Sequence, residues 1–114
     1  MKLDKELVAA SSAPLILSIL AEGDSYGYAI IQRVKELSGG NIEWTDGMLY
    51  PVLHWLEAKG QVKGRWEKAE TGRRRRYYSL ATKGRKALEE QRAQWNLVSA
   101  TLQKLWRKHA IAIA

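Results

Sequence analysis

Four consecutive arginines, Arg73, Arg74, Arg75 and Arg76, are the residues whose type and spacing point most directly to a chemistry. Each guanidinium group carries a permanent positive charge and a planar fork of N–H donors that can bind two phosphate oxygens at once. Residues 61–86 hold ten Lys or Arg and two Asp or Glu, a net charge of +8, whereas the whole chain has +7. Such localised charge is typical of proteins that bind a polyanion, most often nucleic acid, although a solvated basic loop would also carry it.

The segment from Thr45 to Glu57 predicts a helix whose outward face is also suited to binding. Thr45 can cap the first turn. The inward face has apolar residues at helical spacing, namely Leu49, Val52, Leu53 and Leu56. The outward face has small, rigid and aromatic residues where a solvated helix would carry Lys, Glu and Gln, namely Gly47, Tyr50, Pro51 and His54, with Trp55 beside them. Rings with a polar tip are enriched at interfaces, so this face is a candidate binding surface.

Composition argues against several other classes of function. The absence of cysteine removes disulfides and thiolate metal sites and favours a cytoplasmic protein. His54 and His109 lack the spacing of metal ligands, and we expect neither a metal nor a cofactor. No glycine-rich phosphate loop, carboxylate pair or nucleophile accompanies His54, so an enzyme is not expected. No secretion signal is apparent, and the longest apolar run, Ala13 to Ala21, is too short to cross a membrane.

The first sixty residues read as helices. We predict a helix over residues 2–11 and apolar helical spacing at 15–20, separated at Pro14 by a kink or by the start of a new helix. Gly23 ends this segment, and Ser25 can cap a helix over residues 26–37 that buries its last residue, Leu37. The Thr45 helix follows and ends at Gly60.

Beyond Gly60 the hydrophobic period changes from helical to alternating. Alternation over residues 62–67 and 77–80, around a turn at 70–72, predicts a β-hairpin of two strands. Its four arginines must then point at solvent or at phosphate. With a helix from Thr82 to Lys108, the predicted fold class is mainly α (α+β), a winged helix-turn-helix with a long C-terminal dimerisation helix.

The last helix carries an apolar seam of the coiled-coil type. Two series of residues seven apart form it, namely Leu88, Trp95 and Leu102, and Gln91, Val98 and Leu105. Three heptads suit pairing with a second copy of the chain, and the alternative is a helix that folds back on its own domain. We therefore expect residues 1–81 to form a DNA-binding domain and residues 82–114 a dimerisation helix and tail, in one compact unit, with Ala110 to Ala114 frayed.

Three segments in this order resemble the PadR-like transcriptional regulators, and more closely their small subfamily with a single C-terminal dimerisation helix. They are Tyr26–Ile30, Gly47–Glu57 and Gly72–Leu80, and with the seam helix the resemblance covers nearly the whole chain. Two positions depart from the family pattern. Met48 stands where the family usually has Thr, and Trp55 stands where it often has a basic residue, so this third helix has a weaker grip on the DNA backbone.

The resemblance implies a homodimeric repressor of a palindromic operator in double-stranded DNA, with the third helix in the major groove and the wing along the backbone. We expect affinity from the wing cations Lys63, Arg65, Arg73, Arg74, Arg75 and Arg76. Sequence choice is expected from Tyr50, Pro51 and His54. Tyr28, Lys35, Thr45 and Met48 complete the expected DNA contacts.

The resemblance also implies a response to a small planar aromatic effector. Trp95 falls at the seam position where related proteins carry a tryptophan that faces a cavity between the protomers; alternatively, Trp95 only fills the dimer core. A different class of function stays open beside this one. The outward face of the third helix, with Tyr50, His54 and Trp55, could dock a protein partner while the basic wing is merely solvated.

Overall fold

The computed structural model of the protein describes residues 1–108, so His109 and the predicted fraying of Ala110 to Ala114 lie outside the described residues. The elements run in the order α1 (Lys5–Glu22), β1 (Ser25–Tyr26), α2 (Gly27–Leu37), α3 (Asp46–Ala58), β2 (Val62–Lys68), β3 (Arg74–Leu80) and α4 (Thr82–Lys108). Within these residues we find no helix with the length and apolar character that a membrane crossing requires.

Helix α1 is continuous through Pro14, so the possibility of a separate second helix is wrong. The Asp4 side chain caps it by accepting a hydrogen bond from the Glu6 backbone N–H at 2.8 Å. A proline inside a helix costs about 3 kcal/mol. The side chains of Ile16 and Leu17 after it are fully buried, and burial stabilises each by about 1.5–3 kcal/mol, which offsets the proline.

Helix α2 begins and ends differently from the sequence-based prediction. Ser25 does not cap it, because Ser25 and Tyr26 form the short strand β1 and Tyr26 is the N-cap residue without a capping side chain. Ile30 and Val34 are buried, but Leu37, which was predicted to be buried, is 59% exposed. Leu37 is the last residue of α2, where the helix has passed the edge of the core.

The sheet has three antiparallel strands in the order β1-β3-β2, rather than the two of the predicted hairpin. Tyr77 of β3 pairs with Tyr26 on one side and Arg65 on the other. The turn lies where it was expected, and Gly72 adopts the positive φ of 87° that the turn requires. The two residues of β1 are too few to show a period, which is why the alternation missed them.

The core lies where the helices meet the sheet. Leu49, Leu53 and Leu56 of α3 are at most 1% exposed, which confirms its predicted inward face, although Val52 is only half-buried. They pack with buried residues of the other elements, namely Ile16, Leu17, Ile19, Leu20, Ile30, Val34, Trp44, Val62, Tyr78 and Leu88. This core holds α3 against the sheet and turns its other face to solvent.

Helix α4 starts inside the core and leaves it. Leu88 is 9% exposed and packs in the core of its own protomer, so its prediction as a dimer-seam residue is wrong. Gln91 is half-buried, and the helix then continues in an elongated molecule with a longest dimension of 57 Å. Its exposed portion carries apolar side chains along one stripe, namely Trp95, Val98, Leu102, Leu105 and Trp106.

Candidate nucleic-acid interface

The outward face of α3 presents its ring-bearing residues on successive turns. Thr45 caps the helix by accepting a hydrogen bond from the Met48 backbone N–H at 3.3 Å. Tyr50 and His54 lie one turn apart with their ring centroids 6.4 Å from each other. Pro51 is exposed between them, and Met48 and Trp55 are about half exposed, at 47% and 53%.

The close approach of Tyr50 to α2 depends on Gly27. A Cβ atom at Gly27 would lie 2.9 Å from Tyr50 Cζ, so no larger residue fits beside this ring without moving it. Gly27 thus seats Tyr50, half-buried, at the junction of α2 and α3. The contact between Gly27 and Tyr50 therefore fixes both the packing of α2 against α3 and the position of the Tyr50 ring.

The wing is the hairpin of β2 and β3, and strand alternation gives it two different faces. Residues paired across antiparallel strands point to the same side of the sheet. Trp66 pairs with Arg76 and Gly64 with Tyr78, which puts these residues on the face turned toward α3. On the opposite face, the Arg65 guanidinium lies 5.5 Å from the Tyr77 ring and Arg75 lies 4.2 Å from the Tyr26 ring.

A groove of about 570 Å³ separates α3 from the wing and brings five of the thirteen predicted DNA contacts together. It is lined by Tyr50, His54, Glu57, Trp66, Arg74, Arg75, Arg76 and Tyr78. A smaller cavity of about 320 Å³ adjoins it and is lined by Tyr26, Gly27, Tyr28, Tyr50, Arg73, Arg75 and Arg76. Cations and aromatic rings therefore alternate along one continuous surface, which suits a phosphate backbone beside stacked bases.

The predicted cations differ in whether a carboxylate holds them. Arg76 pairs with Glu57 at 2.7 Å, so the expectation that all four arginines point at solvent or phosphate is wrong for this residue. Arg65 pairs with Asp24 at 2.8 Å and with Glu67 at 3.0 Å, and hydrogen bonds from Arg65 to these carboxylates raise its pKa. Among the described residues, four of the six predicted wing cations form no ion pair, namely Lys63, Arg73, Arg74 and Arg75.

Six predicted contacts line neither cavity, namely Lys35, Thr45, Met48, Pro51, Lys63 and Arg65. Lys35, near the end of α2, pairs with Glu43 at 3.6 Å. Lys63 is exposed on the outer face of β2. Tyr28 is 66% exposed and lines the smaller cavity, and Thr45 is exposed at the start of α3.

The sequence-based prediction of DNA contacts missed five residues that line the two cavities, namely Tyr26, Gly27, Glu57, Trp66 and Tyr78. Trp66 is 55% exposed on the groove face, where the Arg74 guanidinium lies 5.2 Å from its ring. The Arg75 guanidinium lies over the Tyr26 ring, and Arg76 forms an ion pair with Glu57. Alternation had placed Trp66 on one face with Gly64, but the pairing register was needed to set it opposite Arg76.

The remaining chemistry of the surface is simple. Within residues 1–108, no three His, Cys, Asp or Glu side chains converge in a way that could hold a metal ion. Tyr78 lines the groove from the core side, and burial raises the pKa of its phenol, so the ring stays neutral beside Arg76. The surface offers positive charge, aromatic faces and hydrogen-bond donors.

A helix-turn-helix whose second helix shares a groove with a basic antiparallel wing defines a winged-helix DNA-binding protein. The sequence identifies the family within this class, because residues 16–90 match the "Transcriptional regulator PadR-like family". The chain belongs to that family and is a transcriptional regulator. The family comparison thus confirms the resemblance drawn from the three sequence segments.

Known proteins similar to this chain support the assignment. It is 32% identical over 89 residues to the transcriptional regulator YqjI of Escherichia coli K12, a match that covers 78% of this chain and 41% of YqjI. The chain therefore spans less than half the length of that relative.

Solved structures agree with the winged-helix fold. A transcriptional regulator from Clostridium thermocellum superposes with a TM-score of 0.81 at 28% identity, covering 90% of this chain and 96% of the other. A PadR family regulator from Clostridium difficile R20291 gives a TM-score of 0.74 at 29% identity, covering 83% and 97%. The predicted fold class, with its long C-terminal helix, is confirmed.

Proposed function

We propose that this regulator acts in the cytoplasm as a homodimeric repressor that binds a palindromic operator and is released by a small aromatic ligand. The observation that carries the DNA-binding part is the groove between α3 and the wing. There Tyr50 and His54, the ring-bearing residues of α3, share one surface with the unpaired Arg74 and Arg75.

The two walls of the groove have different tasks. The wing binds phosphates through the unpaired cations Lys63, Arg73, Arg74 and Arg75, which gives affinity for any sequence. Helix α3 enters the major groove and chooses the sequence through Tyr50, Pro51 and His54, with Thr45 and Met48 at its start. Tyr28 adds a backbone contact from α2. Arg65 and Lys35 contribute less, because carboxylates already hold them.

The apolar stripe of α4 supports the homodimer. Val98 is 55% and Leu105 is 52% exposed on it, and a contiguous exposed apolar surface of this kind marks an interface. A second copy also offers a matching surface: a groove of about 1000 Å³ between the start of α1 and the start of α3, lined in part by Val8, Trp44 and Val52. We assign five residues of α4 to a two-fold interface, namely Gln91, Trp95, Val98, Leu102 and Leu105.

Ligand release follows from the position of Trp95 on that stripe. Trp95 is 40% exposed, so a planar aromatic molecule can stack on its indole ring between the protomers. The two α3 helices must lie about 34 Å apart to reach successive major grooves. A ligand that prefers a different angle between protomers shifts the population away from this spacing and lowers operator affinity.

The test is an electrophoretic gel shift with a duplex from the region upstream of the protein's own gene, against a scrambled duplex of the same length. We expect tighter binding to the upstream duplex. Equal binding to both duplexes would contradict operator recognition and favour a protein-docking role for α3.

The ligand part is tested separately by tryptophan fluorescence with a panel of planar aromatic compounds. We expect quenching in the native protein and none in Trp95→Phe, which keeps an aromatic ring and the other four of the five tryptophans. Equal quenching in the two proteins would contradict a ligand site at Trp95 and leave DNA binding unaffected.

A further inference from the structure

We propose that Arg76 and Glu57 are positioning residues, a clamp that fixes the wing against α3, and that Arg76 is not a phosphate contact. The inference rests on the proposed function, because the clamp sets the width of the groove that receives DNA. It also separates Arg76 from its three neighbours in the arginine run.

The clamp joins three elements through one carboxylate. Arg76 Nη2 of β3 donates to Glu57 Oε2 of α3 at 2.7 Å, and the Gly64 backbone N–H of β2 donates to the same oxygen at 3.2 Å. Glu57 lies in the last turn of α3, one turn beyond His54. Both strands of the hairpin are therefore tied directly to the helix that reads the sequence.

Partial burial distinguishes this ion pair from the others in residues 1–108. The side chains of Arg76 and Glu57 are 31% and 32% exposed, whereas the side chains of the other pairs are 41–67% exposed. Water screens a less exposed pair less strongly, so this pair holds its geometry better than a surface pair.

The surroundings of Arg76 are shaped to hold its guanidinium. Its Cζ atom lies 5.7 Å from the Trp66 ring centroid and 5.9 Å from the Tyr78 ring centroid. A Cβ atom at Gly64 would lie 2.7 Å from that Cζ, so a side chain at position 64 would displace the guanidinium from its place over β2. By contrast, Arg75 lies over the Tyr26 ring without a carboxylate partner.

The clamp and simple electrostatics predict opposite effects of Glu57→Gln on DNA affinity. Glu57 is a carboxylate on the wall of a groove that receives a polyanion. If its charge alone mattered, Glu57→Gln would remove a repulsion and tighten binding to every duplex. If Glu57 holds Arg76 and the wing, the same substitution weakens binding to the preferred duplex.

The experiment compares two variants that break the clamp, Arg76→Gln and Glu57→Gln, with the matched control Arg75→Gln. A fourth variant, Arg76→Lys, tests whether a positive charge restores the clamp. The probes are a duplex selected in vitro with the native protein and a scrambled duplex of equal length, titrated by fluorescence anisotropy over a range of salt. Thermal unfolding of each variant is recorded alongside. Arg76→Lys retains a charge that can reach Glu57, so it should recover most of the affinity that Arg76→Gln loses.

Arg75→Gln should weaken binding to both duplexes. It should also reduce the magnitude of the salt slope, the slope of log binding constant against log salt concentration, by about 0.9 per protomer. Arg76→Gln and Glu57→Gln should each weaken binding to the selected duplex about tenfold, a change of about 1.4 kcal/mol, with the salt slope unchanged. The double variant should lose no more than either single one, because both remove the same interaction. A slope lowered in Arg76→Gln as in Arg75→Gln, or tighter binding in Glu57→Gln, would overturn the clamp.

A readout in the free protein separates the clamp from the proposed function. Because the Gly64 N–H donates to Glu57, its amide hydrogen exchange should speed up about tenfold in Arg76→Gln and stay unchanged in Arg75→Gln. If the native protein binds both duplexes equally, operator recognition fails, and exchange at Gly64 still decides whether the clamp exists. If the native protein discriminates and Arg76→Gln discriminates as well, the clamp alone is wrong.

Discussion

Gly84 lets the start of α4 touch the backbone of the residue before β2. A Cβ atom there would overlap the Gln61 carbonyl oxygen and lie 2.6 Å from Leu80 Cδ1. Backbone cannot move aside as a side-chain end can, so we expect Gly84→Ala to lower the free energy of unfolding by about 1–3 kcal/mol. Thermal or denaturant unfolding measures it.

Gly47 provides the matched control for this substitution. It also lies in a helix, but the nearest atom to an added Cβ is Thr45 Oγ1 at 3.7 Å. Gly47→Ala should leave stability unchanged or raise it by up to about 1 kcal/mol, because alanine favours helix. A Gly84→Ala variant as stable as Gly47→Ala would contradict the tight contact.

His54 and the unpaired arginines should differ in what their loss does to DNA binding. Arg74→Ala combined with Arg75→Ala removes two proposed phosphate contacts and should weaken binding to all duplexes alike. His54→Ala should instead narrow the gap between preferred and scrambled duplexes, by about 1–3 kcal/mol if the imidazole reads a base edge. Anisotropy titrations of both variants against both duplexes measure this, and equal losses on both duplexes in His54→Ala would argue against base reading.

The wing acts as a unit whose usable charge is smaller than its formal charge. Of its six predicted contacts, Arg65 and Arg76 are held by carboxylates in the free protein. With four cations on phosphates, the log–log salt slope should be about −3.6 per protomer, or about −7 for a dimer. If all six reached phosphates, the slope would be about −5.4 per protomer. Binding measured from low to moderate salt distinguishes the two values.

Strand β1 explains why the wing keeps its orientation at its base. Tyr26 pairs with Tyr77, and their rings meet edge to face with centroids 5.3 Å apart. Because β1 leads directly into α2, the helix-turn-helix and the wing are joined through the sheet as well as through the Arg76–Glu57 clamp. The surface proposed to bind DNA is therefore supported from both ends.

The proposed homodimer depends on the part of α4 that has left the core. Leu102 lies on the apolar stripe and is 37% exposed, whereas Leu97 is 69% exposed on another face of the helix. We expect Leu102→Asp to dissociate the proposed dimer, because the substitution occurs twice in a two-fold interface and places two carboxylates there, at a cost of several kcal/mol each. Sedimentation velocity at micromolar concentration measures the change.

Leu97→Asp is the control on the same helix, and it should remain dimeric. Loss of the dimer should also lower operator affinity, since the two half-sites are then bound independently. A Leu102→Asp protein that still sediments as the native protein does would show that the stripe is not the dimer interface.

Local patterns in the sequence were enough for much of this molecule. The inward face of α3, the alternation of the wing and the concentration of cations after Gly60 follow from backbone periods of 3.6 and 2 and from residue type, which need no knowledge of distant segments. The burial of Leu49, Leu53 and Leu56 confirms the first of these. Most of the groove could therefore be predicted.

Tertiary structure alone decided which charges are free and which apolar residues are exposed. Arg76 is held by Glu57, 19 residues away in the sequence, and Leu88 lies in the core of its own protomer although its heptad spacing matched that of Trp95. Neither outcome can be derived from spacing, because the distance between separated segments is fixed only when α1, α3 and the sheet pack together. Four arginines of one chemical type thus become three candidate phosphate contacts and one clamp.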